Sequence, residues 1–367
     1  MSALEQTALR QSRRERIETA IACLPRTRLA HLPTPLEELS RLSEVLGGPR
    51  IFMKRDDLTG LALGGNKTRL LEFYMGDALA QHAEVIVTGG SVQSNVCRQT
   101  AAAAACCGLS CVLLLRGAAG AEVQGNLLLD HLFGADVRAV QMSHLTGIWD
   151  LVEQTAAALR ADGRHAYTIT TFEPLGGIAY VDAARELDEQ CDAMDLSPTW
   201  IVTSSSSATQ AGLVLGAKAL NAPWQVLGVA PIVWQDAPMN EKIAAIASGA
   251  ARLLGFDDTI SPDDIINTDT YVGAGYAVPS VEGLAAIRLL ARTEGILLDP
   301  VYTSKAMAGL IDQIQQGVIG RDDTVVFLHT GGVPALFAYP QQIMEAAANQ
   351  ARAMGQPLGK GVNACSP

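Results

Sequence analysis

Two short segments carry side chains that could do chemistry together. Gly64-Gly65-Asn66-Lys67-Thr68-Arg69 sets a primary amine behind a glycine-led turn, and Gly89-Gly90-Ser91-Val92-Gln93-Ser94-Asn95 opens a helical pattern with hydroxyl, amide and backbone N–H donors. An amine facing an anion-binding helix start is what a Schiff-base enzyme requires. Each segment also has an ordinary reading. Lys67 could be an exposed lysine at a helix start, although a positive charge there is slightly unfavourable. Ser94 and Asn95 could simply cap the helix that follows.

Three other segments bear on the same chemistry. Ser204-Ser205-Ser206-Ser207-Ala208-Thr209 joins an apolar strand to a helical stretch, so its hydroxyls and N–H groups could surround a phosphate. Alone it is no more than a serine turn with Thr209 as a cap. It lacks the spacing of a nucleoside-triphosphate loop, and no Gly-x-Gly-x-x-Gly follows the first strand. Tyr276 and Tyr302 lie in loop-like contexts, where a phenol can exchange protons if neighbouring cations lower its pKa. Either could equally be a packed tyrosine with a hydrogen-bonded tip. His329 ends an apolar strand and reads as a satisfied core histidine.

The elements that must position these residues follow from periodicity. Short apolar runs at 84–88, 110–115, 136–140 and 166–171 alternate with helical stretches at 95–107, 123–133 and 150–160. Further strands are expected at 200–203, 225–230 and 324–328, with helices at 210–220, 240–254, 281–294 and 305–316. Nearly continuous apolar strands fit parallel strands buried on both faces, and strand–helix–strand succession fits right-handed crossovers. Pro174–Gly177 is the best break between the two series. The expected fold is therefore α/β, with two open, twisted, mostly parallel sheets flanked by helices and a site between them. Ligands in such sheets sit beyond the carboxyl ends of strands, where the loops at 89–95, 204–209 and 330–332 fall.

Composition removes other classes. A length of 367 residues, 49% hydrophobic and 18% charged, suggests two globular domains. A net charge of −11 offers no attraction to nucleic acid or acidic membranes. Seven cysteines without a Cys-x-x-Cys pair suggest neither a disulfide framework nor a metal site, and a reducing compartment fits. No signal peptide or membrane span is visible, so a soluble cytoplasmic protein is expected. The arginine-rich stretch at 10–16, interrupted by Glu15, reads as a frayed or surface helix.

Taken in order, the motifs resemble the fold-type II pyridoxal-phosphate enzymes, specifically the D-cysteine desulfhydrase and 1-aminocyclopropane-1-carboxylate deaminase family. The resemblance runs from His31-Leu32-Pro33-Thr34-Pro35-Leu36 and Lys54-Arg55-Asp56-Asp57 through Gly64–Arg69 and Gln93-Ser94-Asn95. It continues through Thr209-Gln210-Ala211-Gly212, Gly275–Pro279 and Leu297–Asp312 to His329-Thr330-Gly331-Gly332. It implies a discontinuous cofactor-binding domain over 1–64 and 177–367, a smaller α/β domain over 65–176, and a homodimer. It further implies that Lys67 carries pyridoxal 5'-phosphate as a Schiff base and moves the Cα proton. Asn95 would bond the cofactor's phenolic oxygen and Ser204, Ser205, Ser206, Ser207, Ala208 and Thr209 its phosphate. Gln93, Ser94 and Asn95 would take the substrate carboxylate, Tyr276 and Tyr302 line the reaction face, and Thr330 meets the pyridine nitrogen.

Within that family, deaminases that open the cyclopropane ring carry Glu directly after the second tyrosine; here Thr303 follows Tyr302. A hydroxyl leaves the pyridine closer to neutral, which suffices for β-elimination and disfavours ring opening. The expected reaction converts a small β-substituted amino acid to pyruvate and ammonia. The leaving group is sulfide, as in D-cysteine desulfhydrases, or sulfite, as in the similar L-cysteate sulfo-lyases. A racemase using the same lysine is an alternative from another class, as is a non-enzymatic α/β binding module. Val96, the serine loop and Phe172-Glu173 depart from the family pattern, and the first and last lie where they could reshape the substrate pocket.

Overall fold

The computed structural model of the chain describes residues 3–142, 145–234 and 237–345. Helix α1 (Ala3–Ala22) leads to β1 (Leu36–Glu38), α2 (Ser40–Leu46), β2 (Arg50–Lys54) and α3 (Lys67–Ala80). A regular β–α succession follows: β3 (Val85–Ser91), α4 (Asn95–Cys106), β4 (Ser110–Arg116), α5 (Gly125–Leu132), β5 (Asp136–Val140), α6 (Ile148–Ala161) and β6 (Ala166–Thr168). Next come α7 (Pro174–Ala193), β7 (Trp200–Ser204), α8 (Ala208–Leu220), β8 (Gln225–Val229), α9 (Met239–Leu253) and β9 (Ile266–Thr268). Helices α10 (Val281–Glu294) and α11 (Thr303–Gln315) precede the last strand, β10 (Thr324–Leu328).

These strands form two sheets, a four-stranded one in the order β5-β4-β3-β6 and a six-stranded one in the order β1-β2-β10-β7-β8-β9. Every pairing is parallel except β1 with β2. The α/β reading therefore holds. Inner strands such as β3 are buried along their whole length, whereas the edge strand β5 is largely exposed. That difference is the ordinary one between a strand covered by helices and one at a sheet edge. Among the described residues no helix is long and apolar enough to cross a membrane.

The stretch at 174–177 is not an irregular break. It is the first turn of α7, a 20-residue helix that sequence periodicity did not reveal. Pro174 occupies an N-terminal helical position, where a missing N–H costs nothing. The glycines serve close packing: a Cβ at Gly212 of α8 would fall 2.1 Å from the carbonyl oxygen of Gly177. Helix α7 also packs on α1, α3 and α9, so it is a central element of the core. The arginine-rich helix α1 docks on it, with Arg10 and Arg14 both paired to Asp188 and Asp192. Arg14 and Ile17 are buried there, so this helix is anchored to the core.

Candidate active site

The carboxyl ends of β3, β7 and β10 converge on one cavity of about 820 Å³ of empty space, its open mouth included. It is lined by Lys67 with Asn66, by Gly89, Gly90, Ser94, Asn95 and Val96, by Ser204–Ser207, by Tyr276 and Tyr302, and by Thr330. Leu145, Trp149, Thr171, Phe172, Pro231, Ile232 and Trp234 complete the wall. Among the described lining residues Lys67 is the only charged one.

Lys67 is the first residue of α3, presented by a loop that is pressed against the loop after β10. Gly65 and Gly331 adopt φ of +132° and +89°, and a Cβ on Gly331 would lie 2.6 Å from the Gly65 Cα. The Asn66 N–H donates to the Thr330 carbonyl at 3.1 Å, closing the seam. Burial without a compensating charge lowers the Lys67 pKa to about 8, so a substantial neutral fraction exists near neutral pH.

Ser94 does cap α4: its Oγ accepts from the Cys97 N–H at 3.3 Å. A hydroxyl that accepts can still donate, and Ser94 lines the cavity. Asn95 is held by two partners that sequence reading missed. Its Oδ1 accepts from Arg98 at 2.9 Å and from the Asn126 side-chain amide at 2.9 Å, so its own NH2 group remains to donate. Arg98 also donates to the Gly64 carbonyl at 2.8 Å, tying the Lys67 loop to the start of α4. Burial lowers the Arg98 pKa to about 10.

Gln93 turns its amide toward Asn126 and Gln124. It does not line the cavity; its Oε1 accepts from the Asn126 N–H at 2.8 Å and its Nε2 donates to the Gln124 carbonyl at 3.1 Å. The same holds for Ala208 and Thr209, which lie outside the lining in the first turn of α8. The Thr209 hydroxyl accepts from Asn66 Nδ2 at 2.9 Å instead. The four serines do face the cavity, and Ser207, not Thr209, stands at the N-terminal boundary of α8, without a side-chain capping bond. Ser205 Oγ accepts from the N–H groups of Ser207 and Gln210, while the buried Ser204 hydroxyl has no partner among the described residues. An orphaned buried hydroxyl and a row of serines at the start of a 13-residue helix suit a bound phosphate.

Tyr276 and Tyr302 meet through their hydroxyls, their rings edge to face at 6.0 Å. Ser91 Oγ lies 3.3 Å from the Tyr276 hydroxyl. Burial raises both phenols, contrary to the lowered values that neighbouring cations would have produced. Both are therefore neutral at ordinary pH and able to donate a hydrogen bond. Lys305 fixes the loop of Tyr276 by donating to the carbonyls of Val272 and Gly275 at 2.7 and 3.0 Å. Asp299 fixes Tyr302 by accepting its N–H at 2.9 Å. Thr303 is absorbed by the same carboxylate, its hydroxyl donating to Asp299 at 2.7 Å, and it lies outside the lining. Thr330 does line the cavity. His329 is the core histidine expected: Nδ1 accepts from the Gly331 N–H and Nε2 faces the Leu297 carbonyl.

Of the residues that depart from the family pattern, Val96 and Phe172 line the cavity and Glu173 does not. Trp149 and Trp234 were unforeseen. A signal for Trp234 existed, since it follows the carboxyl end of β8, where ligand-facing loops gather. Trp149, inside α6, offered none.

A family model described as pyridoxal-phosphate dependent enzyme matches residues 27–331. A D-cysteine desulfhydrase of Klebsiella pneumoniae (strain 342) is 43% identical over 323 residues, covering 86% of this chain and 96% of that protein. A D-cysteine desulfhydrase of Yersinia pestis (strain Pestoides F) is 42% identical over 334 residues, covering 89% and 99%. A crystal structure described as that of an ACC deaminase homologue superposes with a TM-score of 0.83 at 35% identity, covering 90% of this chain and 99% of the other.

Proposed function

The chain belongs to the family of pyridoxal-phosphate-dependent enzymes, and on that premise we propose that it is a β-eliminating lyase most like D-cysteine desulfhydrase. It would convert D-cysteine, or a close β-substituted amino acid, to pyruvate, ammonia and the leaving group. The observation that carries this reading is the convergence of Lys67, the start of α4, the serine loop and the tyrosine pair on one cavity.

The residues present fit the cofactor. Lys67 would hold its aldehyde carbon, Ser204–Ser207 its phosphate, the Asn95 NH2 group its phenolic oxygen, and Thr330 its ring nitrogen. When bound, pyridoxal phosphate supplies an electron sink for the carbanion formed at the substrate Cα. The chain's own groups do the rest. Ser94 O–H and the N-terminal N–H groups of α4 orient the substrate carboxylate. Neutral Lys67, favoured by its burial, takes the proton from Cα. The tyrosine pair, neutral because burial raises both phenols, donates a proton to the leaving sulfur. Thr303, spent on Asp299, supplies no carboxylate to the ring nitrogen, which supports elimination over ring opening.

Lys67→Ala tests the reading. The expected result is loss of covalently held cofactor, seen as loss of its visible absorbance, together with loss of pyruvate release from D-cysteine. Full turnover by that variant would overturn it. We take the enzyme to act as a cytoplasmic homodimer divided into 1–64 with 177–367 and 65–176. The family resemblance supports the location and the dimer, the two separate sheets support the division, and the molar mass from light scattering checks the dimer.

A further inference from the structure

The polar equipment of the cavity accounts for an amine, a carboxylate, a phosphate and two proton donors. What remains, apart from Thr171 and the Trp149 indole N–H, which has no partner among the described residues, is an apolar wall. Phe172 stands edge-on between two indoles, 6.0 Å from the Trp149 ring and 5.0 Å from the Trp234 ring, with interplanar angles of 72° and 89°. Aromatic residues make up only 5% of the chain and it has four tryptophans, yet two of them meet here. Leu145, Ile232 and Val96 line the same cavity, and Val96 directly follows the Ser94-Asn95 pair.

The cluster is held in place from outside. The Trp234 indole N–H donates to Ser206 Oγ at 3.2 Å, which fixes that ring against the serine loop. The Lys242 ammonium lies 5.0 Å from the Trp234 ring centroid and 5.8 Å from that of Phe172, and it is not part of the lining. The three rings come from α6, from the connection into α7 and from the loop after β8, so both sheets contribute. Such an assembly offers more apolar and aromatic surface than the thiol of free cysteine can cover. Sulfur and aryl groups both gain from aromatic edges and faces. A sulfonate would be desolvated beside no lining cation other than Lys67, which costs affinity.

We propose that the Trp149–Phe172–Trp234 wall receives the Cβ substituent, and that the preferred substrates are cysteine thioethers with an apolar, best an aryl, group on sulfur. This rests on the β-elimination reading and names its substrate class. In the reaction the Cβ–S bond breaks and its electron pair leaves with sulfur, which takes a proton from the tyrosine pair. The Cα proton passes to Lys67. One water enters, the nitrogen leaves as ammonia, and the products are the free thiol and pyruvate.

The test uses the holoenzyme with both enantiomers of S-phenylcysteine, cysteine, cysteate and β-chloroalanine, measuring pyruvate and thiol. Tryptophan fluorescence on substrate addition serves as a readout independent of turnover. The expected result is a kcat/KM for S-phenylcysteine about tenfold or more above that for cysteine of the same hand, with quenching at correspondingly lower concentration. Phe172→Ala, or Phe172→Leu if the alanine variant does not fold, should lower that preference by about tenfold. Preference for cysteine or cysteate overturns the inference, as does a ratio that Phe172 substitution leaves unchanged, while the elimination reading survives either. Pyruvate from none of the substrates, β-chloroalanine included, overturns the elimination reading itself and the inference with it.

Discussion

Lys67 does its work through what surrounds it. A solvated lysine would be almost wholly protonated at neutral pH, but burial brings this one to about 8. Its capture of the cofactor aldehyde needs the neutral amine. The rate at which cofactor-free protein regains visible absorbance should therefore rise with pH and level off just above pH 8, whereas an unperturbed lysine would keep accelerating beyond pH 10. Stopped-flow absorbance across that range checks this. Asn126 is the second residue to test. Its amide fixes both the Gln93 carbonyl and Asn95 Oδ1, at 2.7 and 2.9 Å. Asn126→Ala should free the Asn95 amide to turn and weaken cofactor binding by about tenfold, the worth of one or two buried hydrogen bonds. Equilibrium dialysis gives the affinity without any assay of turnover.

At the scale of elements, the site is a meeting of strand ends, and one seam governs it. The Lys67 loop and the loop after β10 touch through glycine backbone, with a positive φ on each side. Gly331→Ala would set a Cβ against the Gly65 Cα and strain a φ of +89°. The expected cost is about 1–3 kcal/mol of stability, with weaker cofactor retention because Lys67 and Thr330 are displaced together. Thermal unfolding with and without added cofactor would show both effects. Several elements at this scale were legible from the sequence: β5, β10 and α10 match their expected spans. Helix α7 was not legible. Its Pro-Leu-Gly-Gly start has the composition of a turn, and only its neighbours α3, α8 and α9 make a helix the better solution.

Across the whole molecule, a buried ion network joins segments far apart in sequence. Arg69 of α3 pairs with Asp56 at 2.9 Å and with Glu186 of α7 at 2.8 Å; Lys54 of β2 reaches Glu186 at 2.5 Å. Burial by itself would raise the Glu186 pKa, yet Arg69 and Lys54 hold it at about 2, below its ordinary 4.5. Its stabilisation is therefore complete above pH 4.5 and lost as the pH falls toward 2. Urea unfolding should show a loss across that window that is smaller in Glu186→Gln. Glu186→Ala, which leaves two buried cations without their shared partner, should cost about 3–5 kcal/mol at neutral pH. Arg69 follows Lys67 by two residues in α3, so the same variant should also loosen the site.

The sequence by itself determined the fold class, the lysine and the strand ends that carry the polar loops. These depend on local periodicity and on residues that must sit at a turn or a helix start. It also marked Val96 and Phe172 as departures near the pocket. Only the tertiary structure decided which side chains face inward. The Gln93 and Thr209 side chains bond Asn126, Gln124 and Asn66, and Ala208 and Thr209 form the start of α8. Trp149 and Trp234 turn in and close around Phe172. Such choices are settled by competition between distant segments for the same hydrogen bonds and the same volume, and a linear pattern does not record who wins.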